Sequence, residues 1–203
     1  MKKIVALVLV LLTIIPCAIA DEFSIRNGIK WGMSYDEVYN LVKKEKLTVK
    51  SRSNTDGVFS IECKNVPVSN SKMGMILYGT SDSGLLIVIY FHPDYGLSSK
   101  QMISDYDTFT EAISKKYGKP GYSQAFWEDD VFKDVYEEHT AANLGVFTKY
   151  TSWTTDNCFI ELALNSDLVA FDESLPTPTV WIAYYPPEFA EAVNNAPTST
   201  DGL

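Results

Sequence analysis

Met33-Ser34-Tyr35-Asp36-Glu37-Val38 is a complete helix start, and the elements it opens recur once further along the chain. The Ser34 hydroxyl can accept the amide of Glu37, while the Glu37 carboxylate reaches back to the amide of Ser34, a reciprocal capping box. Met33 before the cap and Val38 at the fourth helical position form the accompanying hydrophobic staple. Val38, Leu41 and Val42 then recur at helical spacing and predict a helix to about Glu45. Strands are predicted at Val58–Lys64, Met73–Gly79 and Leu85–His92, the last two joined through Ser81-Asp82-Ser83-Gly84. Phe59, Ile61 and Cys63 share one strand face. Leu85–Phe91 is apolar without alternation, the pattern of a strand covered on both faces.

The order then repeats. Ser98 starts a second helix, whose stripe is Met102, Tyr106, Phe109, Ile113 and Tyr117; Gly118 suits its C-cap and Pro120 forbids continuation. Strands are predicted at Tyr122–Trp127, Gly145–Trp153, Cys158–Leu164 and Thr179–Tyr185, with Thr154–Asn157 as a tight turn. Asp130–Asn143 reads as one short acidic helix. The expected fold is α+β: two tandem helix-plus-antiparallel-sheet halves, 21–95 and 96–186, with the helices segregated to one sheet face. Their boundary falls near Pro93–Ser98. Leu175–Pro178 is a loop, and 187–203 reads as a flexible C-terminal tail.

Ahead of these elements, Lys2 and Lys3 precede an apolar run from Ile4 to Ile15 broken only by Thr13, and Ala18-Ile19-Ala20 offers small residues for cleavage before Asp21. Residues 1–20 therefore read as a secretory signal peptide, and the expected location is the periplasm or the exterior. The run is about half of the ~20 residues a spanning helix needs, so no stable membrane span is expected after cleavage. Pro16 stands where a lipid-modified Cys17 would want Gly or Ala. The chain has net charge −9, and the signal carries two of its lysines and no acid. Such a surface repels phosphate backbones, which argues against nucleic acid as a partner. Its acids are spread along the chain, as solubility alone requires. Cys63 and Cys158 remain in an oxidising compartment. Either they close a long loop, worth up to ~4–5 kcal/mol in the chain-entropy model, or they are separate buried thiols.

Catalytic chemistry is sparse. No GxSxG, HExxH, CxxC, P-loop or dinucleotide motif occurs, and the chain has two histidines. His92 reads as a strand-end polar residue. Glu128-Asp129-Asp130, Asp134, Glu137, Glu138 and His139 form an acidic stretch that a metal-dependent hydrolase could use, but the spacing of a Ca²⁺ loop is absent and a solvated acidic face is the simpler reading. Asp105 and Asp107, at i and i+2, do not share a helix face. No catalytic, cofactor-binding or metal residue is assigned.

The aromatics offer a different lead. Cys158, Ile160, Leu162 and Leu164 share the strand face expected to meet the helix, leaving Phe159 opposite. With Val180, Ile182 and Tyr184 inward, Trp181 and Tyr185 point outward. Phe147 and Trp153 share their strand face with Lys149 and Thr151. An outer sheet surface of Phe147, Trp153, Phe159, Trp181 and Tyr185 would have the composition of a protein-binding hot spot. The competing reading is that these are cross-strand pairs stabilising a covered sheet.

Gly28-Ile29-Lys30-Trp31-Gly32-Met33-Ser34-Tyr35-Asp36-Glu37-Val38 resembles the Gly-Met-Ser/Thr-x-x-Glu-Val helix start of small bacterial envelope proteins. Among these are the SmpA/BamE-type outer-membrane assembly lipoproteins and many exported proteins opening with Trp-Gly-Met-Ser. The tandem layout resembles β-lactamase-inhibitor-protein-like modules. The matching residues are Gly32, Met33, Ser34, Glu37 and Val38, each with a structural reason as turn, staple or cap; the Gly that closes the short helix in the lipoproteins is absent near Leu41–Lys44. The resemblance implies a helix packed on an antiparallel sheet. Together these features lead to an exported, non-enzymatic module that binds an envelope or extracellular protein or a small ligand. The alternatives are the hydrolase above and a structural envelope component.

Overall fold

The capping box forms as its residues require. Ser34 is extended (φ −65°, ψ 162°), its amide donates to Glu37 Oε2 at 2.8 Å, and its hydroxyl accepts from the Glu37 amide at 3.5 Å. The Ser34 hydroxyl also donates to Glu37 Oε2 at 2.7 Å, and this bond, with that from the Ser34 amide, holds the Glu37 carboxyl below its ordinary range. Helix α1, Tyr35–Lys44, buries Val38 and Val42. The chain before it is tied to the sheet: the Gly32 amide donates to Leu85 O (3.0 Å) and the Leu85 amide to Met33 O (2.7 Å). This approach is so close that a Cβ on Gly84 would lie 2.2 Å from the Gly32 carbonyl oxygen. Glycine at 84 is therefore a packing requirement, reinforced by its φ of +69°, whereas at 32 an added Cβ would meet nothing closer than 3.9 Å and only the φ of +75° favours glycine.

The computed structural model describes residues 26, 28–69, 71–92, 98–164 and 180–190. The expected signal peptide with Cys17, residues 93–97 of the expected boundary, the 175–178 loop and the tail beyond 190 lie outside the described residues.

Among the described residues eight strands form one antiparallel sheet in the order β1-β2-β3-β4-β8-β7-β6-β5. The first four are β1 (Thr48–Thr55), β2 (Val58–Val68), β3 (Ser71–Thr80) and β4 (Gly84–Phe91). Helix α2 (Ser99–Tyr117) follows, then β5 (Tyr122–Trp127), helices α3 (Asp130–Val135) and α4 (Glu138–Asn143), and β6 (Phe147–Thr154), β7 (Phe159–Leu164) and β8 (Val180–Tyr185). The last strands of the two meanders join them, Val88 pairing with Tyr184 and Phe91 with Trp181. Strand β1 was not expected: its Thr-Val-Lys-Ser-Arg-Ser-Asn-Thr sequence lies on an exposed edge and carries no apolar alternation. The expected acidic helix is two, because Tyr136 is extended (φ −116°, ψ 143°) and ends the first.

Two apolar clusters flank the sheet. In one, Val38 and Val42 of α1, Met102, Tyr106, Phe109 and Ile113 of α2, and Ala141 and Ala142 of α4 pack with strand residues including Ile61, Leu77, Val88, Ile160, Leu162 and Ile182. The other gathers Ile87, Ile89, Phe91, Phe159, Ala163, Trp181, Ala183, Tyr185 and Ala190. Phe189 and Ala190, at the start of the expected tail, pack here, Phe189 stacking on Tyr185 at 5.8 Å between ring centroids. Trp31 spans the molecule, its indole N–H donating to Asn157 O (2.9 Å) in the turn between β6 and β7.

Candidate functional site

The expected outward aromatic surface does not form. Trp153 and Trp181 are 1% and 3% exposed, and Phe147, Phe159 and Tyr185 are also buried. Register explains Phe147 and Trp153. Trp153 stands opposite Ile160 and Thr151 opposite Leu162, and directly opposed residues of an antiparallel pair share a face. Phe147 and Trp153 therefore belong to the helix-covered core. Phe159, Trp181 and Tyr185 lie on the opposite face as expected, but within the second apolar cluster.

The cysteines stay separate, both buried and unbridged. Cys63 is on β2 and Cys158 borders β7, with β3, β4 and β8 between them. At ~4.8 Å per strand that is roughly 19 Å, far beyond the ~7 Å limit on the Cα separation of a disulfide. Burial pushes the Cys63 thiol up to about 11. The acidic stretch disperses: Asp129 caps α3 by accepting from the Val131 amide (2.9 Å), His139 pairs with Glu137 (3.2 Å), and Glu138 faces Lys149 (3.9 Å). Among the described residues no group of three or more His, Cys, Asp or Glu is placed to hold a metal. His92 is the strand-end residue expected of it. Its Nε2 lies 3.0 Å from Asp105 Oδ2, and Gln101 donates to the other Asp105 oxygen at 2.9 Å, latching β4 to α2. Asp107 turns elsewhere, to Lys149 (2.8 Å).

A constellation that sequence reasoning missed lies where α2 crosses the β4–β8 seam. Tyr90 of β4 and Tyr184 of β8 meet edge to face at 6.1 Å between ring centroids, and Tyr117 at the end of α2 lies beside them. With Phe109, Ile113, Ile182 and the chain around Val68 they line a cleft of about 430 Å³. That volume is within the ~300–1,000 Å³ of small-molecule sites, as is the apolar lining with few polar groups. Arg26 closes one side. Its Nη1 donates to Pro67 O (3.1 Å), and the guanidinium lies close enough to Tyr90 to oppose the effect of burial on its phenol.

The electrostatics of the cleft are one-sided. Its charged lining residues are Arg26 and Lys116, with no carboxylate among the described residues that line it. Lys116 Nζ sits over the Tyr117 ring at 4.7 Å from its centroid. Burial pushes the Tyr90 phenol up to about 12, the neighbouring Arg26 acting in the opposite direction. Burial, with Tyr117 and Tyr90 nearby, also raises Tyr184. Tyr90 and Tyr184 are thus protonated at neutral pH and able to donate. Among the described residues, the buried Arg26 Nε and Tyr117 hydroxyl have no hydrogen-bond partner, a state that costs about 1–3 kcal/mol per group. The one legible hint was Tyr90, a hydroxyl inside the otherwise apolar run Leu85–Phe91.

Comparisons of this chain with protein families, with curated proteins and with solved structures find no match.

Proposed function

We propose that this chain is an exported bacterial envelope protein that binds a small ligand, without turnover, in the cleft between α2 and the β4–β8 seam. The observation that carries this reading is the cleft itself: an apolar cavity of ligand size lined by an anchored arginine and three tyrosines. The Met1–Ala20 sequence supports export, and no described helix is long and apolar enough to cross a membrane. The architecture fits two tandem α+β halves, each a helix followed by a four-strand meander, with the helices gathered on one sheet face. That layout and the Trp-Gly-Met-Ser helix start are in keeping with the envelope and inhibitor-like modules resembled above.

Protein-observed NMR of the purified protein against a fragment library tests the reading. Binders that perturb the Tyr117 and Tyr184 resonances support it; a library without binders, or binders mapping elsewhere, refutes it. Turnover of a bound compound would remove the non-enzymatic part, and recovery of the protein with the membrane fraction would remove the released location.

A protein partner is the second reading, favoured by the β5 edge. This strand is uncharged, its Tyr122 and Phe126 are 45% and 41% exposed, and the adjacent α3 exposes Val131 and Val135. An uncharged apolar edge can accept a partner's strand. Phe126→Lys should abolish such an interaction in a pull-down, and unchanged recovery would exclude this edge.

A further inference from the structure

We infer that the cleft selects a small monoanion: a carboxylate on an aromatic body, with the acid group at Arg26 and the body between Tyr117 and Tyr184. This deepens the ligand-binding reading and rests on it. Three independent features point to the class. Sign comes first, since a chain of net charge −9 lines this cleft with two cations and, among the described residues, no acid. A cationic ligand would meet like charge there, whereas an anion would not.

The second feature is geometry. Arg26 Nη1 is anchored by the Pro67 carbonyl, while the buried Nε has no partner among the described residues. The planar guanidinium fork is matched by a carboxylate, and such charge-assisted bonds are the strong ones. The Tyr117 hydroxyl, also buried and without a partner among the described residues, can donate to an acid oxygen. The third feature is the lining: Tyr90, Phe109, Tyr117 and Tyr184 offer ring faces and edges, and a flat aromatic body can pack on these in offset or edge-to-face contact.

The test is calorimetric titration of the purified protein with three probes sharing one body: 3-phenylpropanoate, 3-phenylpropanamide and 3-phenylpropylamine. The expected order is acid, then amide, then amine, with the acid at least roughly tenfold tighter than the amide, the low end expected for one hydrogen bond to a charged group. Arg26→Gln should erase that preference while leaving amide binding within about twofold. Tyr117→Phe, which removes only a hydroxyl, should weaken the acid several-fold and keeps the proposal testable if the Arg26 variant does not fold. Equal affinity for acid and amide, or an acid preference that survives both substitutions, overturns the anion assignment and leaves ligand binding standing. If none of the three probes binds, both fall.

Discussion

Gly84→Ala should be among the most damaging single-methyl changes in this protein. Its new Cβ would stand 2.2 Å from the Gly32 carbonyl oxygen and 2.3 Å from the Gly32 carbonyl carbon, both backbone atoms. No rotamer can relieve that clash, so the two segments must part by about an ångström to restore ordinary van der Waals separation. Parting them weakens the Gly32–Leu85 and Leu85–Met33 bonds, 3.0 and 2.7 Å long, at about 1 kcal/mol each. Holding alanine at φ +69° adds about 1–2 kcal/mol. The expected loss is therefore about 3–4 kcal/mol, a large part of the ~5–15 kcal/mol that holds a domain folded. Gly145→Ala is the control: its φ is +77°, but nothing lies within 4 Å of the added Cβ, so only the conformational cost of about 1–2 kcal/mol remains. Urea unfolding followed by far-UV circular dichroism gives both values. Equal losses for the two variants would refute the claim that backbone contact, and not φ alone, demands glycine at position 84.

Three further outcomes follow from the packing. Tyr106 and Thr151 share a buried 2.6 Å bond, and Thr151 also bonds Ser123 at 2.9 Å. Thr151→Val, which strips both partners, should cost about 1–3 kcal/mol in urea unfolding and exceed Tyr106→Phe, which leaves Thr151 bonded to Ser123; the reverse order would contradict the network. The phenols of Tyr90 and Tyr106 are raised from 10.0 to about 12, mainly by burial. Between those values the unfolded chain has lost the proton that the folded one keeps, so their stabilisation is complete below pH 10. It then falls by about 1.4 kcal/mol per pH unit for each phenol as pH rises toward 12. Phenolate absorbance should rise together with loss of circular dichroism, and titration of every tyrosine near pH 10 in a native fold would rule this out. Finally, a thiol reagent should leave Cys63 and Cys158 untouched in the native protein and modify both in denaturant without reductant; unreactive cysteines in denaturant would mean they are oxidised.

Much of the fold was written in local sequence. The capping box at Ser34, the stripe from Met102 to Tyr117 and the strand cores from Val58 onward are read from neighbours in the chain, and they form where local rules put them. Strand β1 escaped because an exposed edge needs no apolar alternation. Which way Phe147 and Trp153 face was not legible either: it depends on β6 pairing Trp153 with Ile160 and not with a neighbour of opposite facing, and a shift by one residue inverts every side chain. The cleft was least legible. Arg26, Tyr90, Tyr117 and Tyr184 come from four separate segments, and only the pairing of β4 with β8 brings Tyr90 and Tyr184 together.

That pairing also dictates the order in which the protein can be completed. Strand β4, Gly-Leu-Leu-Ile-Val-Ile-Tyr-Phe, is made before α2, yet the strand that covers its free edge, β8, is the last of the described strands. Until residues 180–185 arrive, the first meander presents an uninterrupted apolar template to any other unpaired strand. A chain truncated before Val180 keeps that template permanently open, so such fragments should aggregate even though every element of the first meander is intact. Chains that have emerged only as far as β7 share the same vulnerability, and an escort that masks β4 during synthesis or export would relieve it.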